Sequence, residues 1–116
     1  MKPLTTDVGG YLADLYFVNA QFGWAVGDSG VIIHTRNGGQ SWNVQPSGVL
    51  ATLYSVFFVD TLTGWAVGGK SIVKTTNGGQ NWQIQTIATP ALLWNVFFVN
   101  QNIGWVRKGK GSKDRI

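Results

Sequence analysis

VFFVDTLTGWAVGGKSIVKTTNGGQNWQIQ, residues 56–85, is the stretch that decides the fold. Val56-Phe57-Phe58-Val59 is an unbroken apolar run, the pattern of a strand buried on both faces. Gly64-Trp65-Ala66-Val67-Gly68 reads as a second strand with a glycine at each end. Ser71-Ile72-Val73-Lys74-Thr75 is rich in β-branched residues and reads as a third. Asn77-Gly78-Gly79 is a turn that demands φ > 0. Trp82-Gln83-Ile84-Gln85-Thr86 alternates apolar and polar, which predicts a half-exposed outer strand. Four short strands in about forty residues, with no sustained 3.6-residue period, is the arithmetic of one β-propeller blade.

The same stretch recurs on either side. LYFVNAQFGWAVGDSGVIIHTRNGGQSWNVQ (15–45) precedes it and VFFVNQNIGWV (96–106) follows it. The Gly-Trp pair falls at Gly23-Trp24, Gly64-Trp65 and Gly104-Trp105, spacings of 41 and 40. The one-residue difference sits between Gly27 and Thr35, in a turn, where a length change is most easily tolerated. At the N-terminal end, Met1 aligns with Trp42, so residues 2–5 align with the outer strand. Lettering the strands a to d from the ring centre outwards, the chain reads d, abcd, abcd, ab. The expected organisation is an outer strand at 1–6, blade one over about 11–46, blade two over about 53–87 and a half blade over about 93–106. Residues 107–116 (RKGKGSKDRI) are expected to form a basic, disordered tail, the remnant of a truncation or frameshift rather than a nucleic-acid arm.

Composition narrows the function. The chain has 116 residues, 44% hydrophobic and 13% aromatic, enough for one packed unit. The absence of Cys rules out disulfides, thiolate metal sites and a thiol nucleophile. One His and five Asp with no Glu argue against a dedicated metal site, and no cofactor is expected. The net charge of +4 belongs wholly to residues 107–116, so the body offers no basic face and no specific nucleic-acid binding is expected. No apolar run approaches ~18 residues and no apolar h-region follows Lys2, so neither membrane insertion nor a secretory signal is expected; the chain reads as soluble.

Thr35-Arg36-Asn37-Gly38-Gly39-Gln40-Ser41-Trp42 and Thr75-Thr76-Asn77-Gly78-Gly79-Gln80-Asn81-Trp82 resemble the Asp-box (BNR) motif, Ser/Thr-x-Asp/Asn-x-Gly-x-x-Trp. The VFFVD…GWAVG lead-in is similar to the propellers of the photosystem II assembly and stability factor family, over about residues 11–106. That resemblance implies a β-propeller that docks other proteins during assembly of a membrane complex. The chain departs from the family in holding fewer than three repeats, in using Asn where Asp is commoner, and in losing the pattern after Trp105.

The box residues Thr35, Asn37, Gly39 and Trp42, with Thr75, Asn77, Gly79 and Trp82, are read as structural. The Asn side chains hydrogen-bond backbone donors in their own turns, the glycines take φ > 0, and the Trp rings lie buried under the turn. Trp24, Trp65 and Trp105 recur at the repeat period and are read as interblade packing rather than a sugar-stacking platform. His34, aligned with Lys74, is expected to face the surface. Sialidases, enzymatic relatives of the box repeat, would require an arginine cluster and a Tyr–Glu pair. This chain has no Glu, and Arg36 is its only arginine outside the tail. No catalytic residue is assigned. The expected function is a non-catalytic protein-binding or scaffolding propeller. A truncated or mobile-gene fragment whose main property is self-assembly, and a carbohydrate-binding propeller, are the alternatives. Open inner strands at both ends favour a homodimer: two chains give six blade positions, within the usual range of roughly 4–8.

Overall fold

A computed structural model describes residues 11–85, 92–109 and 113–116. The residues expected to form the leading outer strand, 1–6, lie outside the described part, as do Thr86 and Ile87 at the end of blade two. Three antiparallel sheets follow one another along the chain. The first is β1 (Leu12–Phe17), β2 (Gly23–Gly27), β3 (Ile32–Thr35) and β4 (Asn43–Gln45). The second is β5 (Ser55–Phe58), β6 (Gly64–Gly68), β7 (Ser71–Thr75) and β8 (Gln83–Gln85). The third holds β9 (Leu93–Asn100), β10 (Ile103–Lys108) and β11 (Lys113–Arg115). Strands in each sheet pair in sequence order, the up-and-down meander of a propeller blade.

Local chemistry explains the repeat. The turn between the first two strands of each sheet is held by one side chain. Asn19 Oδ1 accepts from the Gln21 and Phe22 N–H groups, Asp60 Oδ1 from Leu62 and Thr63, and Asn100 Oδ1 from Asn102 and Ile103. These are Asx turns, which Asn and Asp favour because the short side chain stands in for the carbonyl of the preceding residue in a backbone turn. The glycine of each Gly-Trp pair makes room: a Cβ on Gly23, Gly64 or Gly104 would overlap the ring of Phe17, Phe58 or Phe98 respectively.

The core lies between blades rather than within one. Trp24, Val26 and Ile32 of the first sheet pack with Leu53, Val56, Phe58, Val73 and Trp82 of the second. Trp65, Val67 and Ile72 of the second pack with Leu93, Val96, Phe98 and Val106 of the third. Burying each such side chain contributes about 1.5–3 kcal/mol, so each sheet depends on its neighbour for most of its stability.

The structure corrects the sequence reading at the C-terminal end. The third sheet does not stop at Val106. Arg107 and Lys108 continue β10, and Lys113–Arg115 forms β11 alongside it, with Trp105 opposite Arg115 and Arg107 opposite Lys113. The reason is that an outer ladder is made by main-chain groups and needs no apolar side chains when its faces are solvated. Lys108 Nζ lies 2.9 Å from Asp114 Oδ2, and Ile116 packs against the core between blades two and three. The outer strand β8 begins one residue later than expected, after Trp82, just as β4 begins after Trp42.

Candidate functional site

The recurring Trp of the second strand is the centre of each blade junction. Trp24 stacks on Phe58 of the next blade, centroids 3.5 Å apart and planes at 10°. Trp65 stacks on Phe98 in the same way, at 3.4 Å and 11°. The other ring face is covered from the third strand, by His34 over Trp24 at 4.6 Å and by the Lys74 ammonium over Trp65 at 5.5 Å. Trp24 and Trp65 are buried, whereas Trp105 is half-buried, with Arg115 at the register position of His34 and Lys74.

His34 is the clearest departure from the sequence expectation. It is 4% exposed rather than surface-facing, because the strand pairing that sets it opposite Trp24 lays its ring on the indole. Its Nδ1–H donates to the Gly23 carbonyl at 2.9 Å. Burial holds its pKa below the usual imidazole value; the Gly23 bond opposes that shift and the nearby Arg36 charge adds to it.

The two turns at 35–42 and 75–82 are nearly superimposable in bonding. The Thr35 hydroxyl donates to Asn37 Oδ1 and accepts from the Gly39 N–H; Thr75 does the same with Asn77 and Gly79. Asn37 Oδ1 accepts from the Ser41 N–H at 3.0 Å and Asn77 Oδ1 from Asn81 at 2.9 Å. Gly39 and Gly79 sit at φ 93° and 92°. The indoles then diverge. Trp82 is 9% exposed, packs edge-on against Phe58 and donates to Gln45 Oε1 of blade one. Trp42 is only half-buried, edge-on to Phe17, and donates to its own Gly39 carbonyl. The difference arises because Trp82 has a preceding blade to pack against, and Trp42 has none among the described residues.

Sequence reasoning missed the polar latches between blades. Asp14 Oδ2 accepts from the Val56 N–H at 3.0 Å, and Ser55 Oγ, at the equivalent position, accepts from Val96 at 3.1 Å. Gln45 Nε2 and Trp24 Nε1 both donate to the Gly78 carbonyl. The signal was present as three polar residues, Asp14, Ser55 and Asn95, at one repeat position.

Shallow clefts mark the surface of the described residues. One, of 470 Å³, runs along Lys74, Asn77, Asn81 and Gln83. A second, of 620 Å³, lies between Asp28 and Leu50. Asp28, Ser29 and Ser47 line the second; there the Ser47 hydroxyl donates to the Val49 carbonyl and Asp28 Oδ2 accepts from the Tyr11 N–H. Among the described residues no three His or Asp side chains gather where they could hold a metal, and no helix is long and apolar enough to cross a membrane. What the surface does offer is aromatic: Tyr54 and Trp94, 40% and 46% exposed, lie against one another across blades two and three at 5.0 Å.

No protein-family model matches the chain. Over 64 residues, 53% of its length, it is 36% identical to the chloroplastic photosystem II stability/assembly factor HCF136 of Arabidopsis thaliana, and over a stretch of the same length 31% identical to that of Oryza sativa subsp. japonica. The matched stretch spans only 16% and 15% of those relatives. In three dimensions it is similar to YCF48 bound to D1 peptide, with a TM-score of 0.81 and 25% identity over 91% of this chain and 36% of that one. YCF48 from Cyanidioschyzon merolae shares the fold, with a TM-score of 0.84 and 22% identity over 97% of this chain and 38% of that one. The chain is an all-β partial propeller that resembles the YCF48/HCF136 photosystem II stability and assembly factors in sequence and in fold.

Proposed function

We propose that the chain is a non-catalytic, protein-binding scaffold of the assembly-factor type. The observation that carries this reading is the likeness to a YCF48 structure with a D1 peptide bound, which extends over 91% of the chain. Two features of the surface support it. The exposed Tyr54–Trp94 pair offers amphipathic aromatic area at low entropic cost, the composition favoured at protein interfaces. The Asp-box-type turns and stacked blade junctions make a stiff platform, so little ordering is required on binding. The residues at the repeat positions serve structure, and a second copy of the chain is the nearest protein partner, in a homodimer. Titration calorimetry with the D1 peptide and a scrambled control tests the binding role. Saturable binding of the D1 peptide alone is expected. Equal heats from both peptides with folded protein would overturn the reading.

A further inference from the structure

The two ends of the blade stack are complementary halves of the junction already made twice inside the chain. Leu15, Val56 and Val96 occupy one repeat position, and Phe17, Phe58 and Phe98 another. Val56, Val96, Phe58 and Phe98 are exposed by 2%, 2%, 1% and 8%, whereas Leu15 and Phe17 are exposed by 44% and 36%. The first four are covered by the preceding blade; nothing described covers the last two. On the opposite end, Trp105 has the place of Trp24 and Trp65 but no Phe stacked on it among the described ring pairs. Val99, at the position where Val18 and Val59 pack into the blade junctions, is 67% exposed. Asn95 stands where Asp14 and Ser55 each latch the next inner strand.

We propose that the β1 face of one chain receives the third blade of a second copy, head to tail, with Trp105 of one copy stacked on Phe17 of the other. The proposal rests on the reading of the chain as a self-associating propeller module and names the faces that associate. Continuity with the two internal junctions fixes the geometry. Trp105 Nε1 is placed to donate to the Gly38 carbonyl, as Trp24 Nε1 does to the equivalent Gly78 at 3.2 Å. Val99 lies against β1, Leu15 becomes buried, and Trp42 gains the neighbour that Trp82 already has. The contact is heterologous, and a pair of chains that makes it twice forms a two-fold ring of six blade positions, within the usual range of roughly 4–8.

Sedimentation equilibrium of the 116-residue chain tests this, with Phe17→Asp and Trp105→Asp variants. The unsubstituted chain is expected at twice its 12.6 kDa mass. Each variant is expected to dissociate with a dissociation constant raised by roughly 100-fold, as for a central aromatic anchor. Because one variant keeps a sound β1 face and the other a sound third blade, an equimolar mixture regains the two-chain species through one intact junction. Near-ultraviolet circular dichroism checks folding, and Leu15→Asp replaces Phe17→Asp on the same face if the latter unfolds. A folded monomer would overturn self-association altogether. A dimer indifferent to both substitutions, or folded variants that fail to recombine, would overturn these faces while leaving self-association standing. Loss of D1-peptide binding by an intact dimer would bear on the scaffold reading alone.

Discussion

Trp82 and Trp42 are the same residue in two environments, and that contrast makes a prediction at the scale of the side chain. Trp82 fills the junction between blades one and two and is 9% exposed, while Trp42 rests on Phe17 with one side open. Trp82→Ala is expected to destabilise by roughly 3–5 kcal/mol, the range for losing a large buried aromatic, and Trp42→Ala by about 1–2 kcal/mol in the dissociated chain. Chemical denaturation of both variants checks the ordering; equal losses would show that the preceding blade is irrelevant to the Trp82 site. His34 carries a second prediction. The unfolded chain takes up a proton near pH 6.5, and the folded chain resists it because the ring is buried on Trp24. The folded state is therefore at full advantage above pH 6.5 and loses stability as pH falls from there toward the lower folded pKa. As the only histidine in a chain without Glu, it dominates the interval between pH 7 and 5. The unfolding free energy of the chain is expected to fall across that interval while that of His34→Asn stays nearly flat; parallel slopes would show that His34 is not the group responsible. The alignment of His34 with Lys74 was legible in the sequence. Its burial was not, because it follows from stacking on a Trp whose other face is closed by a different blade.

At the scale of the strand, side-chain pattern and backbone pairing contribute separately. The inner strands announce themselves by apolar runs, and the repeat fixed their register at 41 and 40 residues, so β1 to β10 were readable. β11 was unreadable because a strand of Lys113, Asp114 and Arg115 carries no apolar signal; it is held by its ladder to β10 and by the residue that follows it. The Ile116 N–H donates to the Gly104 carbonyl at 3.0 Å while its side chain packs against the second interblade core. Ile116→Ala is expected to destabilise by about 1–2 kcal/mol. Lys108→Ala, which removes a partly exposed ion pair to Asp114, is expected to cost less than about 1 kcal/mol. Urea midpoints for the two variants give the comparison. No effect of Ile116→Ala would mean that β11 contributes nothing to the third blade.

For the whole molecule, the distribution of buried surface predicts where stability concentrates. Blade two is sandwiched: Val56, Phe58, Ala66, Val67, Ile72 and Val73 are all within 2% of full burial. Among the described residues blade one has one neighbouring sheet, and its β1 side is open at Leu15 and Phe17. Local opening follows the density of buried contacts, so in the dissociated chain the amides of β2 and β3 exchange faster than those of β6 and β7, although the sequences are nearly the same. Association changes this in a specific way. When a second copy covers β1, blade one acquires the two-sided packing of blade two, and the binding free energy appears as added protection. Hydrogen exchange measured across a range of protein concentration is expected to slow at β2 and β3 by one to two orders of magnitude as dimer forms, with a smaller change at β6 and β7. The same slowing is expected at β10, whose Trp105 gains the stacked ring that Trp65 already has in Phe98. A uniform change over all three blades would instead indicate global linkage between folding and association, with no part of the monomer stable alone. No concentration dependence at β2 or β10 would mean that both end faces stay open, with blade two the one fully packed sheet among the described residues.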